Sequence, residues 1–201
     1  MSVRENILKI ATRRFAAVGY EATSMRSIAS RARVTLPTIY HYFGDKESLY
    51  FEVCLTTFSP RAERALEAFT RSGASNEARI FGFFEELADD LLNDENFFKL
   101  LHREMIDQDK EGIRRLTERC WKESFGTLIE TFERFIPKHR DAPEITFTSF
   151  ALMLGLVEFR RKAPFLAGTL GKYYDPKSLA ELVLRTTAPE INWAELMAKA
   201  A

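Results

Sequence analysis

The chain has 201 residues, 46% hydrophobic and 29% charged, a globular balance that excludes a disordered or low-complexity polypeptide. It has no uninterrupted run of about 18 apolar residues, and its opening MSVRENILKIATRRF lacks the apolar stretch and cleavage site of a secretory signal, so neither a membrane span nor export is expected. The net charge is zero but unevenly spread. Residues 1–50 carry eight Lys and Arg against four acids (net +4), while the other 151 carry 21 against 25 (net −4), so a basic head able to meet a polyanion precedes an acidic body.

The predicted elements are all helices. From Arg4 to Val18, the apolar positions Ile7, Leu8, Ala11, Phe15 and Val18 recur at helical spacing, and Gly19 follows as a stop. Thr23 and Ser24 are the capping candidates for a second helix with Met25, Ile28, Ala29 and Ala32 on one face. After a turn at Arg33 and Val34, Thr35 caps a third helix whose first turn holds Pro37, where a missing N–H costs little. Gly44-Asp45 ends that helix, and Asp45 caps the next. Beyond it the spacing predicts helices over 46–70, 76–93, 94–108, 110–136, 145–163 and 176–188, with a tail helix over 192–200. The breaks come from RSGASN, PKHRDAP and GTLGKYYDP, and Pro60 is expected to kink or divide the first of these helices. No alternating β pattern of useful length and no internal repeat is present, so the fold class is all-α.

The second and third helices form a candidate helix-turn-helix. In MRSIASRARVTLPTIYHY, Ala29 is the small residue where two backbones come close; Ile28, Ala32, Val34 and Ile39 supply the motif's own core, and Tyr42 covers its last position. The third helix then presents Leu36, Pro37, Thr38, Tyr40 and His41 outward. Hydroxyls and an imidazole can read base edges in a major groove, and apolar atoms can meet thymine methyls. Thr23, Ser24 and the free N–H groups opening the second helix form an anion site. The Tyr42 hydroxyl and the Lys46 ammonium are placed to reach phosphates on either side of the third helix. Taken singly, Tyr40, Tyr42 and Phe43 read more readily as core aromatics and Lys46 as a solvated charge; the ordered set favours DNA contact, with Phe43 in the core on either reading.

The string FAAVGYEATSMRSIASRARVTLPTIYHYFGDKESLY closely resembles the N-terminal domain of TetR-family transcriptional regulators. Phe15, Gly19, Tyr20, Thr23, Ser24, Ile28, Ala29, Val34, Thr35, Tyr40, Tyr42, Phe43, Lys46, Glu47 and Leu49 stand in that family's order and spacing, over about the first quarter of the chain. The resemblance implies a helix-turn-helix DNA-binding domain over 1–46 and a helical ligand-binding and dimerisation domain over 47–201. It also implies a homodimer on an inverted-repeat operator in double-stranded DNA, a cytoplasmic location, and release by a small-molecule effector, more often from a repressor than an activator. One position departs from the family. Arg33 occupies a turn site that is usually Gly, because a positive φ is cheap for Gly. Arg33 either adopts that conformation at a cost of about 1 kcal/mol or more, or reshapes the turn, and it adds a cation next to the DNA.

The implied dimer interface falls on two stripes, Phe147, Phe150, Ala151, Leu154 and Val157 with Gly155 permitting close approach, and Leu179, Leu182, Val183 and Thr186. Spacing alone suits the subunit's own core equally well. Fifteen of the 17 Phe lie beyond residue 50, enough to line a cavity for an effector of apolar or aromatic character. Phe81, Phe84, His102, Met105, Trp121 and Phe125 are its candidate lining, and any one of them alone reads more readily as core.

Two other function classes compete. Catalysis would draw on the carboxylates Glu85, Glu86, Asp89 and Asp90, or Glu104 and Asp107, but these fit a solvated helix face, with no nucleophile–base pair or phosphate loop beside them. His41, His102 and His139 lack metal-ligand spacing, and Cys54 and Cys120 lack metal or redox spacing, so no catalytic site, metal or cofactor is expected. A helical interaction module would have no use for the ordered Thr-Tyr-Lys set.

Overall fold

The computed structural model describes residues 1–70, 74–106, 110–134, 136–138, 140–167 and 175–193. Among these, all regular structure is helical, and the chain divides into two compact units. The first comprises residues 1–60 and 94–121, the second residues 61–93 and 122–201.

In the first unit, α1 (Val3–Val18) opens with a capping box in which the Ser2 side chain accepts from the Glu5 N–H and the Glu5 carboxylate accepts from the Ser2 N–H. Ile7, Leu8, Ala11 and Phe15 are buried as the spacing predicts, whereas Val18 is exposed, because α1 ends there and Gly19 turns the chain away at φ 84°. α2 (Met25–Ala32) packs on α1 and on α3 (Leu36–Phe43), burying Met25, Ile28, Ala29 and Ala32 on one side and Ile39 and Phe43 on the other. Asp45 caps α4 (Lys46–Thr70) by accepting from the Ser48 N–H at 2.7 Å. That N–H holds the exposed Asp45 carboxyl below the usual carboxylate range. α4 runs through Pro60 as one helix, and the chain passes from the first unit to the second at that residue. α6 (Glu95–Ile106) packs on α1. α7 (Lys110–Leu116) leads into a π-helical turn, Thr117–Trp121.

The second unit holds the remainder of α4, α5 (Asn76–Asn93), α8 (Lys122–Glu133), α9 (Ala142–Ala167) and α10 (Pro176–Thr187). α5 packs against α8, α9 and α10, and α9 against α8 and α10. Its core contains Ile80, Phe84, Leu128, Phe132, Met153, Val183 and Leu184. Two polar contacts tie α10 in. The Ser149 and Thr187 hydroxyls pair at 2.7 Å, and the Arg140 guanidinium donates to the Thr187 carbonyl at 2.8 Å at the open end of α10. Over Ala142–Arg160, α9 is long and apolar enough to cross a membrane, with a mean hydropathy of 1.3. Its buried Thr146, Ser149, Met153 and Val157 identify it instead as a core helix of the protein itself.

Two predicted boundaries change. The helix expected over 110–136 is two helices joined by the π turn, and the one expected over 145–163 runs from Ala142 to Ala167. Of the tail helix, 194–200 lies outside the described residues, and Trp193 is buried with its indole N–H donating to the Ala188 carbonyl at 3.0 Å.

Candidate nucleic-acid interface

α3 is two-faced because its apolar and polar residues separate at helical spacing. Ile39 is fully buried and Phe43 nearly so, while Pro37, Tyr40, His41 and Tyr42 are exposed and Leu36 and Thr38 half-buried. The Thr35 hydroxyl caps the helix by accepting from the Thr38 N–H at 3.4 Å, and the Thr35 and Thr38 hydroxyls lie 2.8 Å apart. The His41 ring meets the Tyr42 ring edge-on at 5.4 Å, so these two side chains stand as one polar-tipped aromatic surface. Tyr42 therefore does not cover the core as the sequence suggests; Phe43 fills that place, and the Tyr42 phenol faces outward.

The second helix starts as an anion site in one respect and not in another. Ser24 is its N-cap, accepting from the Ser27 N–H at 3.1 Å, which leaves the first N–H groups of the helix directed outward. Thr23 is a correction. Its side chain is buried and its hydroxyl donates to the Gly19 carbonyl at 2.7 Å, so it closes the α1–α2 turn instead of presenting a donor to phosphate. Nothing in the order Thr-Ser distinguishes which hydroxyl caps outward and which turns in.

Lys46 reaches across that same turn. Its ammonium lies 4.1 Å from the centre of the Tyr20 ring and 3.5 Å from the Glu21 carbonyl, which holds the α1–α2 turn against the start of α4. Tyr20 in turn packs with Phe15 and Tyr50 at ring separations of 6.1 and 5.1 Å. The Tyr50 hydroxyl donates to the Glu104 carboxylate from α6. Burial, helped by the nearby Cys54 thiol and Glu104 carboxylate, pushes the Tyr50 phenol well above its ordinary value. The next residue back on α6, Arg103, donates to the Ala16 and Ala17 carbonyls at 3.4 Å each, satisfying the open end of α1. A Cβ on Gly19 would stand 2.8 Å from the mobile end of the Arg103 guanidinium, which could shift aside, so it is the positive φ of 84° that favours glycine there. These contacts tie α1 and the α1–α2 turn to α4 and α6, and no sequence motif announced them.

Several cations of the first unit are open to solvent. Lys9, Arg13, Arg26, Arg31 and Arg33 are exposed, whereas Arg4 is committed to Glu52 and to the face of Phe43. Arg33 adopts the left-handed conformation, φ 55° and ψ 42°, the only non-glycine residue with positive φ among those described.

The other predicted sites fare differently. Of the cavity candidates, His102, Met105 and Trp121 belong to the first unit and Phe81, Phe84 and Phe125 to the second. Phe81 and Phe84 are buried in the core, and Trp121 packs on Phe58 at 5.5 Å in the π turn. Met105 is 52% exposed, so it is not the inward-facing residue the spacing suggests. Of the dimer candidates, Leu154, Val157, Leu179 and Val183 are buried within the second unit and unavailable to a partner; Phe150, Gly155 and Leu182 are half-buried and Phe147 is exposed. The outward stripe of α9 is Phe147, Ala151, Gly155 and Phe159, one residue every four, with Phe147 stacked on Phe125 at 5.6 Å. A Cβ on Gly155 would meet nothing within 4 Å. Phe159, 62% exposed, had no place in the predicted stripe. Among the described residues, no three His, Cys, Asp or Glu side chains gather as metal ligands.

Comparison with known proteins agrees with this geometry. The family model "Bacterial regulatory proteins, tetR family" matches residues 7–53. An uncharacterized HTH-type transcriptional regulator of Bacillus subtilis (strain 168), YhgD, is 39% identical over 66 residues, 33% of this chain and 35% of that protein, so the match spans about a third of the relative. The fold is shared along nearly the whole chain with the transcriptional regulator FadR from Bacillus subtilis, solved in complex with stearoyl-CoA: TM-score 0.74 at 19% identity, covering 94% of this chain and 100% of that one. It is shared also with AibR, solved with isovaleryl coenzyme A and operator DNA: TM-score 0.69 at 22% identity, covering 91% and 97%. Residues 7–53, which contain the helix-turn-helix described above, therefore match the tetR family of bacterial regulatory proteins, within a fold that the chain shares with solved transcriptional regulators.

Proposed function

We propose that the chain is a dimeric, cytoplasmic transcriptional regulator, a repressor that leaves an inverted-repeat operator when a small molecule binds. The observation that carries this reading is the exposed face of α3, where Tyr40, His41 and Tyr42 stand outward on a helix-turn-helix in a basic head. In this reading Pro37, Thr38, Tyr40 and His41 meet base edges, with Leu36 at the margin. Ser24, the N–H groups opening α2, Thr35, Tyr42 and Lys46 serve the phosphates. Lys46 does so from its seat on Tyr20, so it both fixes the turn and offers charge.

Residues 1–46 form the DNA-contacting part and 47–201 the part that dimerises and receives the effector. The α9 stripe of Phe147, Ala151, Gly155 and Phe159 is the dimer face, in place of the buried leucines and valines. Two headpieces are needed because one buries too little surface for specific recognition. The effector is of apolar or aromatic character. The long-chain acyl-CoA in the FadR complex supports an apolar tail, and AibR, solved with isovaleryl coenzyme A and operator DNA, supports a fold with both kinds of partner. Release needs only a differential affinity between two headpiece spacings, typically about 1–3 kcal/mol of coupling.

The test is fluorescence anisotropy on duplexes the protein itself selects, titrated with acyl-CoA thioesters of increasing chain length. Release that strengthens with chain length supports the effector reading. Unchanged binding at every length refutes it and leaves the DNA reading standing.

A further inference from the structure

The connection between α2 and α3 closes as a Schellman motif. The Arg33 N–H donates to the Ser30 carbonyl at 3.3 Å and the Val34 N–H to the Ala29 carbonyl at 3.1 Å. That closure demands the left-handed conformation at residue 33, where glycine is the low-cost occupant and a side chain with a Cβ is strained. Arg33 nevertheless occupies it. Its side chain is exposed and has no ion pair or hydrogen bond with any described residue, and it lies at the open, electronegative end of α2, in the turn that leads into α3. A residue held in a strained backbone site that its own side chain does not stabilise points to a use for that side chain.

We propose that Arg33 is a DNA-phosphate ligand, retained at a cost in stability because its guanidinium anchors the turn of the helix-turn-helix to the backbone of the duplex. The inference rests on the DNA-binding reading above. Arg26 and Arg31 on α2 are exposed as well, so Arg33 adds to a set of exposed cations carried by the helix-turn-helix. Planar, bidentate geometry suits Arg to a phosphate more than Lys, and the short reach from a fixed turn keeps the entropy lost on contact small.

Three variants test it: Arg33→Gly, which removes both strain and charge; Arg33→Asn, which tolerates the left-handed site without charge; and Arg33→Lys, which keeps charge and strain. Each is measured by urea denaturation and by binding to a selected duplex between 50 and 200 mM salt. Arg33→Gly and Arg33→Asn should raise the denaturation midpoint, yet lower the slope of log affinity against log salt by about 0.9 per headpiece. The deficit of the uncharged variants should therefore be about 3.5-fold larger at 50 mM than at 200 mM salt for each headpiece. Arg33→Lys should keep the slope and leave the midpoint where it was. Uncharged variants that gain stability and keep the full slope overturn the proposal, as does an Arg33→Gly variant that is less stable than the parent. A parent chain that binds no duplex overturns the DNA reading and this inference with it, whereas a parent that binds with an unchanged Arg33→Gly slope overturns this inference alone.

Discussion

Thr23→Val separates support of the reading head from contact with DNA. The substitution keeps the shape of a side chain that is 1% exposed and removes one hydroxyl, whose hydrogen bond to the Gly19 carbonyl spans 2.7 Å. A buried carbonyl losing its donor costs about 1–3 kcal/mol, because water cannot reach it as a replacement. For a chain of this size that is a fall of about 2–4 °C in melting temperature for each kcal/mol. Urea titration followed by far-UV circular dichroism should show a lower midpoint with an unchanged m-value, since the surface exposed on unfolding is the same. Binding to DNA should weaken only as far as the α1–α2 turn loosens, and its salt slope should stay as it was, because no phosphate contact has gone. An unaltered midpoint together with a uniform loss of DNA affinity would put the hydroxyl on a phosphate and refute the burial argument.

Further outcomes follow from the same geometry. Tyr42→Phe combined with Lys46→Ala should weaken binding to every duplex and flatten the salt slope by about 0.9 per headpiece, whereas Thr38→Ala or His41→Ala should change which sequences are preferred; identical behaviour of all four would end the division into phosphate and base contacts. Phe147→Glu with Phe159→Glu, both on the outward stripe of α9, should convert a dimer to monomer in sedimentation while leaving helicity intact; an unchanged dimer would move the interface elsewhere. Burial raises the Tyr50 phenol above the value of about 10 for an unfolded tyrosine, so the folded chain keeps a proton that the unfolded chain releases. The stability this contributes is whole below about pH 10 and fades as pH rises, at up to about 1.4 kcal/mol per pH unit, and Tyr50→Phe should remove that alkaline slope; a Tyr50→Phe chain with the parent's slope would place the titration on other groups.

The head was legible because its punctuation is local. Gly19, Ser24, Thr35, Gly44 and Asp45 each mark a helix end by their own chemistry, and the structure puts helix ends at those places. Arg33 is the instructive residue: its mismatch with the family's glycine was visible in the sequence, and the structure shows the turn kept and the residue strained, with no reshaping. The second half was less legible. An apolar stripe on α9 or α10 says that a face is buried and not against what, so Leu154, Val157, Leu179 and Val183 suited a partner as well as the core they occupy. The π turn at Thr117–Trp121 left no mark, since one extra residue in a turn shifts the apolar period too little to read. The Arg103 and Glu104 contacts join residues more than 50 positions apart, beyond the reach of any local pattern.

The central claim is sequence-specific, two-fold recognition of DNA. Its most direct test is selection of bound sequences from random duplexes at physiological salt, with protein refolded from denaturant so that no carried-over ligand holds it in a released state. The account predicts enrichment of an inverted repeat whose half-sites lie about one helical turn or a multiple apart, their spacing fixing the separation of the two headpieces. A pool that stays unenriched, with only weak binding that vanishes as salt rises, would contradict it.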